Sequence, residues 1–65
     1  MKVSVISQGK KTEFNGSAET ILDVLSGMGV NRETVIVRKG RSVVPAEEPI
    51  ADGDEIELIK IFSGG

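Results

Sequence analysis

The chain has 65 residues, enough for one small domain, and a domain of that size buries only about 60% of the surface its unfolded chain exposes, which leaves no room for a deep active-site cleft. It contains no cysteine and no histidine, which excludes disulfides, thiolate or imidazole metal ligands, a cysteine nucleophile and the commonest general base. Lys and Arg number 8 against 10 Asp and Glu, a net charge of -2, so the basic footprint of a nucleic-acid binder is missing.

The opening "MKVSVISQGKK" is too short in its apolar run for a signal-peptide core, and no later stretch approaches the roughly 18 apolar residues of a membrane span. The expectation is a soluble, cytoplasmic protein with neither a membrane nor a nucleic-acid partner. "KVSVIS" alternates at period two, with Val3 and Val5 on one face and Lys2, Ser4 and Ile6 on the other, which predicts a strand with one buried side. Gln8-Gly9-Lys10 supplies a turn, and "KTEF" returns as the second strand of a hairpin that carries Phe14 into the core.

"GSAETILDVLSGMG" predicts a helix, with Ser17 as its N-cap, Glu19 in the first turn and Gly29 as its stop. Ile21, Leu25 and Met28, flanked by Leu22 and Val24, form an apolar stripe fit to lie on a sheet, while Gly27 weakens the last turn. Two β-branched runs follow, Thr34 to Arg38 and Arg41 to Val44, around Lys39-Gly40, and Pro45 ends the second. In "AEEPIADGD" only Ile50 is apolar enough to tuck inward, and Asp52-Gly53-Asp54 makes a tight turn whose aspartates can accept from nearby backbone N–H groups.

The last strand, Glu55 to Phe62, sets Ile56 and Leu58 on one face, with Ile59 and Ile61 out of phase. Either this strand is central and partly covered on both sides, or Ile59 and Ile61 stand on an exposed face and form a patch near the tail. The order β-β-α-β-β-β puts one helix across a mixed sheet of four to five strands. Placing the first strand in the middle, parallel to the last, satisfies the rules of short connection and right-handed crossover. The fold class expected is therefore α+β of the β-grasp, ubiquitin-like kind, with a body over residues 1–61 and a flexible tail over 62–65.

"SAETILDVL", "VIVRKGRSVVP", "DGDEIELI" and the final "SGG" together resemble the sulfur-carrier branch of the ubiquitin-like proteins over nearly the whole chain. The resemblance is to the carrier of thiamine biosynthesis (ThiS type), with the small subunit of molybdopterin synthase (MoaD type) and archaeal small modifiers as near relatives. It implies that a ubiquitin-activating-type adenylyltransferase (ThiF/MoeB-like), using ATP and magnesium, adenylates the carboxylate of Gly65. Sulfur from a cysteine desulfurase or another sulfide source then replaces AMP to leave a thiocarboxylate, which thiazole synthase consumes. The carrier itself is then neither an enzyme nor the holder of a cofactor or metal. Two features depart from the pattern: Lys60-Ile61-Phe62 stands where the molybdopterin subunit carries prolines, and Arg38 to Arg41 is more basic than is typical of the thiamine carrier.

Four extended residues, Phe62 to Gly65, reach roughly 13 Å at about 3.3 Å each, enough to cross a narrow channel while the body docks outside. Ser63 and Gly64 form the thin stem, since glycine has no Cβ to meet channel walls. Ile59, Ile61 and Phe62 are the expected anchor of the partner interface, unless Ile61 or Phe62 folds back over the core. Arg38, Lys39 and Arg41 either meet an acidic partner or form a solvated loop. Glu47, Glu48, Asp52 and Asp54 fit no calcium loop and read as a solvated turn. Two rival functions share the sequence: a modifier joined through Gly65 to lysines of other proteins, and a plain interaction module. Molybdopterin synthesis and tRNA thiolation are alternative destinations for the sulfur.

Overall fold

The protein's structure, a computed structural model, describes residues 1–61. The first hairpin pairs β1 (Lys2–Ser7) with β2 (Lys10–Asn15) in antiparallel register, Val3 opposite Phe14. The two-residue connection has Gln8 at φ 52 and Gly9 at φ 78. Positive φ at both central positions is the turn whose twist matches that of the flanking strands.

The helix α1 spans Ile21–Met28 and so begins three residues later than a Ser17 cap requires; its N-cap is Thr20. The reason lies in the connection at residues 45–50. Thr20 forms a β-bridge to Pro49, Ile50 N–H donates to the Glu19 carbonyl, and the backbone of Thr20 is extended at φ -130. The first two helical N–H groups are satisfied from the same connection, Ile21 by the Glu48 carbonyl at 3.0 Å and Leu22 by the Ala46 carbonyl at 2.8 Å. Asp23 takes the role expected of Glu19: its carboxylate in the first turn accepts from the N–H of Glu19 and of Thr20 at 2.9 and 3.1 Å. Gly29, at φ 73, ends the helix as expected, with Val30 N–H reaching back to the Leu25 carbonyl.

A 3-10 turn at Arg32–Thr34 precedes β3 (Val35–Lys39), so that strand starts one residue later than its sequence suggests. Asn31 causes the shift, its side chain accepting from Glu33 N–H at 2.9 Å. Gly40 and Arg41 turn the chain into β4 (Ser42–Val44), and β5 (Glu55–Lys60) closes the sheet. The strand order is β2-β1-β5-β3-β4, with β5 parallel to β1 and antiparallel to β3. One helix packed on a five-stranded mixed sheet with the first and last strands adjacent is the β-grasp arrangement.

The helix lies on one face only, where Val3, Val5, Ile21, Leu25, Ile56 and Leu58 are almost wholly removed from water. Ile50 is buried, as its isolation in a polar loop suggests, and Phe14 is half-buried against the same core. The Asp52-Gly53-Asp54 turn ties the start of β5 to the start of β1: Lys2 N–H donates to the Asp52 carboxylate at 2.6 Å, and Gly53 N–H to the Lys2 carbonyl at 2.7 Å. Asp54 accepts from Ala51 N–H at 2.9 Å and closes the turn itself.

Candidate functional site

The expected site is the end of β5, and its local structure follows from strand alternation. Residues of β5 whose side chains point away from Ile56 and Leu58 face the side of the sheet that α1 does not cover. Ile59 stands there 39% exposed, and Ile61 beyond it is 47% exposed. The strand is central, between β1 and β3, and its outer isoleucines stand partly exposed as a patch, so both arrangements open to this strand hold in part; Ile61 does not fold back over the core. Ile61 remains held to the sheet, its N–H donating to the Thr34 carbonyl at 2.9 Å. The expectations for Phe62, Ser63, Gly64 and Gly65 fall outside the described residues.

The patch is wider than the sequence suggests. Ile36 pairs directly with Ile59 across β3 and β5 and is itself 38% exposed. Its alternation against Val35 and Val37 was visible in "VIVRK", but its registration opposite Ile59 was not. Val43, on the edge strand β4, is 69% exposed. Directly opposite isoleucines support each other on the strand surface and leave their outer sides free for a partner.

Charge beside the patch is largely spoken for within the chain. Arg38 and Glu57, opposite one another on β3 and β5, form an ion pair at the polar border of the isoleucines. Lys39 bridges Asp54 at 3.2 Å and the Pro49 carbonyl at 3.3 Å. Of the basic loop, Arg38 and Lys39 are thus engaged internally, and Arg41 has no ion-pair partner among the described residues. The Ala51 N–H, then Lys39, hold the Asp54 carboxyl below the ordinary carboxylate range. The Arg32 guanidinium does the same for Glu47. These acids serve as turn acceptors and ion-pair partners, and among the described residues no three acidic side chains come together as a metal site. No helix among them is long and apolar enough to cross a membrane.

The body is thus closed by the helix on one face and carries exposed isoleucines on the other where its last strand ends. A solved structure, the crystal structure of ATBAG1 in complex with HSP70, superposes with a TM-score of 0.69 at 14% identity, covering 92% of this chain and 40% of that one, which shows the fold alone. An uncharacterised protein of Archaeoglobus fulgidus is 32% identical over 56 residues, 86% of this chain and 82% of its own. The sulfur carrier protein TtuB of Thermus thermophilus is 28% identical over 60 residues, 92% of this chain and 91% of its own. The ThiS family matches residues 4–65, both of the strands that flank the crossover and the final glycines included. The chain belongs to the ThiS family, and it is a sulfur carrier rather than an enzyme.

Proposed function

We propose that sulfur is carried on the carboxyl group of Gly65 and is delivered to thiazole synthesis in thiamine biosynthesis. The reading is carried by one juxtaposition: a family match that runs through Gly65, on a chain whose last strand brings exposed Ile59 and Ile61 to the root of that segment. A carboxylate is a poor electrophile and must first be activated. In the adenylyltransferase's nucleotide site, an oxygen of the Gly65 carboxylate attacks the α-phosphorus of magnesium-bound ATP and pyrophosphate leaves. Sulfide then adds to the acyl carbon, AMP departs with the electron pair of the broken C–O bond, and a thiocarboxylate remains. Ile36, Ile59, Ile61 and Phe62 supply the docking affinity, because ordering a glycine stem costs entropy that the stem's own contacts do not return.

The test is the intact mass of the carrier after incubation with a ubiquitin-activating-type adenylyltransferase, ATP, magnesium and a sulfide source. The expected gain is the difference between one sulfur and one oxygen, and a variant lacking Gly65 shows none. No gain with an adenylyltransferase that loads another carrier of this family, and that binds this one, would overturn the proposal. The acceptor is tested separately: the loaded carrier should lose its sulfur to thiazole synthase and keep it with molybdopterin synthase lacking its own small subunit.

A further inference from the structure

Strand β5 outruns its parallel neighbour. The β1–β5 ladder ends at Ser7 opposite Leu58, and the chain then turns away through Gln8 and Gly9. The β3–β5 ladder continues through Lys60 and, by the Ile61 to Thr34 bond, one residue further. Backbone groups of successive strand residues point to opposite edges. Since Ile61 bonds to β3, so does Ile59, and the N–H and C=O of Lys60 are aimed at the other edge, where β1 has already left. The opposite end of the strand fixes the same parity: Ser4 N–H donates to the Asp54 carbonyl at 2.9 Å, so the even-numbered positions face β1. The Lys60 amide finds no partner among the described residues.

The step leaves a notch of about 270 Å³ lined by Gln8, Gly9, Glu57, Leu58, Ile59 and Lys60. A Cβ placed on Gly9 would have nothing within 4 Å, so a second chain can approach the turn closely. Ile59 lines the notch and also belongs to the exposed patch, which makes the notch an extension of the docking surface. Glu57 is already paired with Arg38, so what the notch chiefly offers is a main-chain donor and acceptor at strand spacing.

We infer that an extended segment of the activating enzyme enters this notch and continues the sheet where β1 stops, its carbonyl accepting from Lys60 N–H and its own N–H donating to the Lys60 carbonyl. The inference rests on the reading above, in which such an enzyme docks at this end of the sheet. A backbone contact there would hold β5 in register at the point where the chain leaves the body for the nucleotide site.

The probe is the adenylyltransferase that loads this carrier in the mass assay. Lys60→Pro removes an N–H that bonds to nothing among the described residues, and proline is tolerated where a strand N–H lacks a ladder partner. It should weaken binding roughly tenfold, as the loss of one desolvated hydrogen bond does. Lys60→Ala, which keeps the N–H, should bind within about twofold of the parent. In the unaltered carrier, the Lys60 amide should exchange rapidly when free and become protected in the complex. That measurement decides the matter alone if the proline variant does not fold. A Lys60 amide still unprotected in a complex that goes on to load Gly65 overturns the inference and leaves the carrier reading intact. Equal weakening by Lys60→Ala and Lys60→Pro assigns the contact to the side chain and overturns it as well. Failure of every adenylyltransferase to load Gly65 removes the reading and the inference together.

Discussion

Gly27 occupies the last turn of α1, a position where alanine is ordinarily favoured by about 1 kcal/mol. A Cβ there would stand 3.2 Å from Phe14 Cε1, and one on Gly16 would stand 3.2 Å from Phe14 Cζ, so the ring lies in a slot between two glycines. The helix gives up propensity at Gly27 to admit one of the domain's two aromatic side chains. Gly27→Ala should therefore fail to raise the thermal midpoint of the parent, yet raise it in a Phe14→Leu background; the same change in both backgrounds would refute the slot. Asp23 and Asp54 argue at the same scale. Backbone N–H groups of Glu19 and Thr20 hold the first below the ordinary 3.8, and that of Ala51 holds the second. A group whose folded value is depressed contributes fully above its unfolded value, and the contribution is lost as pH falls through the folded one. Glu47, held below its ordinary 4.5 by Arg32, adds to this, so the thermal midpoint should be level from neutral pH down to about 5 and decline as the pH falls through 4.5 and then 3.8, with a shallower decline in Asp54→Asn.

Strand β5 has one buried face and one exposed face, the latter proposed above for the partner, and substitutions should divide accordingly. Ile59→Thr keeps a β-branched residue at a position 39% exposed, so stability should change by less than about 1 kcal/mol while affinity for the activating enzyme falls tenfold or more. Val5→Thr, on the buried face of the neighbouring strand, should do the reverse, lowering the thermal midpoint by burying a hydroxyl and affecting binding only through folding. Equal loss of stability in both would mean that the outer isoleucines are core. Elements of this kind were legible in the sequence because period two in "KVSVIS" and "EIELI" separates the faces directly. The helix start was not. Ser17 is a good cap in isolation, and what defeats it is the bridge from Thr20 to Pro49, a contact between segments about thirty residues apart. Ile36 went unnoticed for a similar reason: its exposure follows from alternation, but its place beside Ile59 depends on a register set by tertiary pairing.

For the molecule as a whole, the margin is small. At roughly 0.05–0.15 kcal/mol per residue a domain of this length is stable by about 3–10 kcal/mol. Leu25 is fully buried, and Leu25→Ala should cost about 2–5 kcal/mol, which lowers the thermal midpoint by about 10 °C or more. The fold also depends on its last strand more than on any other, since β5 supplies Ile56 and Leu58 and pairs on both sides with inner strands. A fragment ending at Asp54 should be unfolded by circular dichroism, and a folded fragment would show that β1 to β4 form a core without it.

The parallel pairing of β1 with β5 also decides how the body bears load. The start of β1 lies beside the start of β5, so the first residue of β1 and the last of β5 lie at opposite ends of the sheet. Force applied between them runs along the strands and strains the rungs on both flanks of β5 together, in place of peeling them one at a time. If an activating enzyme takes up the last residues as proposed above, tension should move the whole carrier inward before it unravels the sheet. Pulling the ends of β1 and β2 apart across their hairpin should open that pair at far lower force.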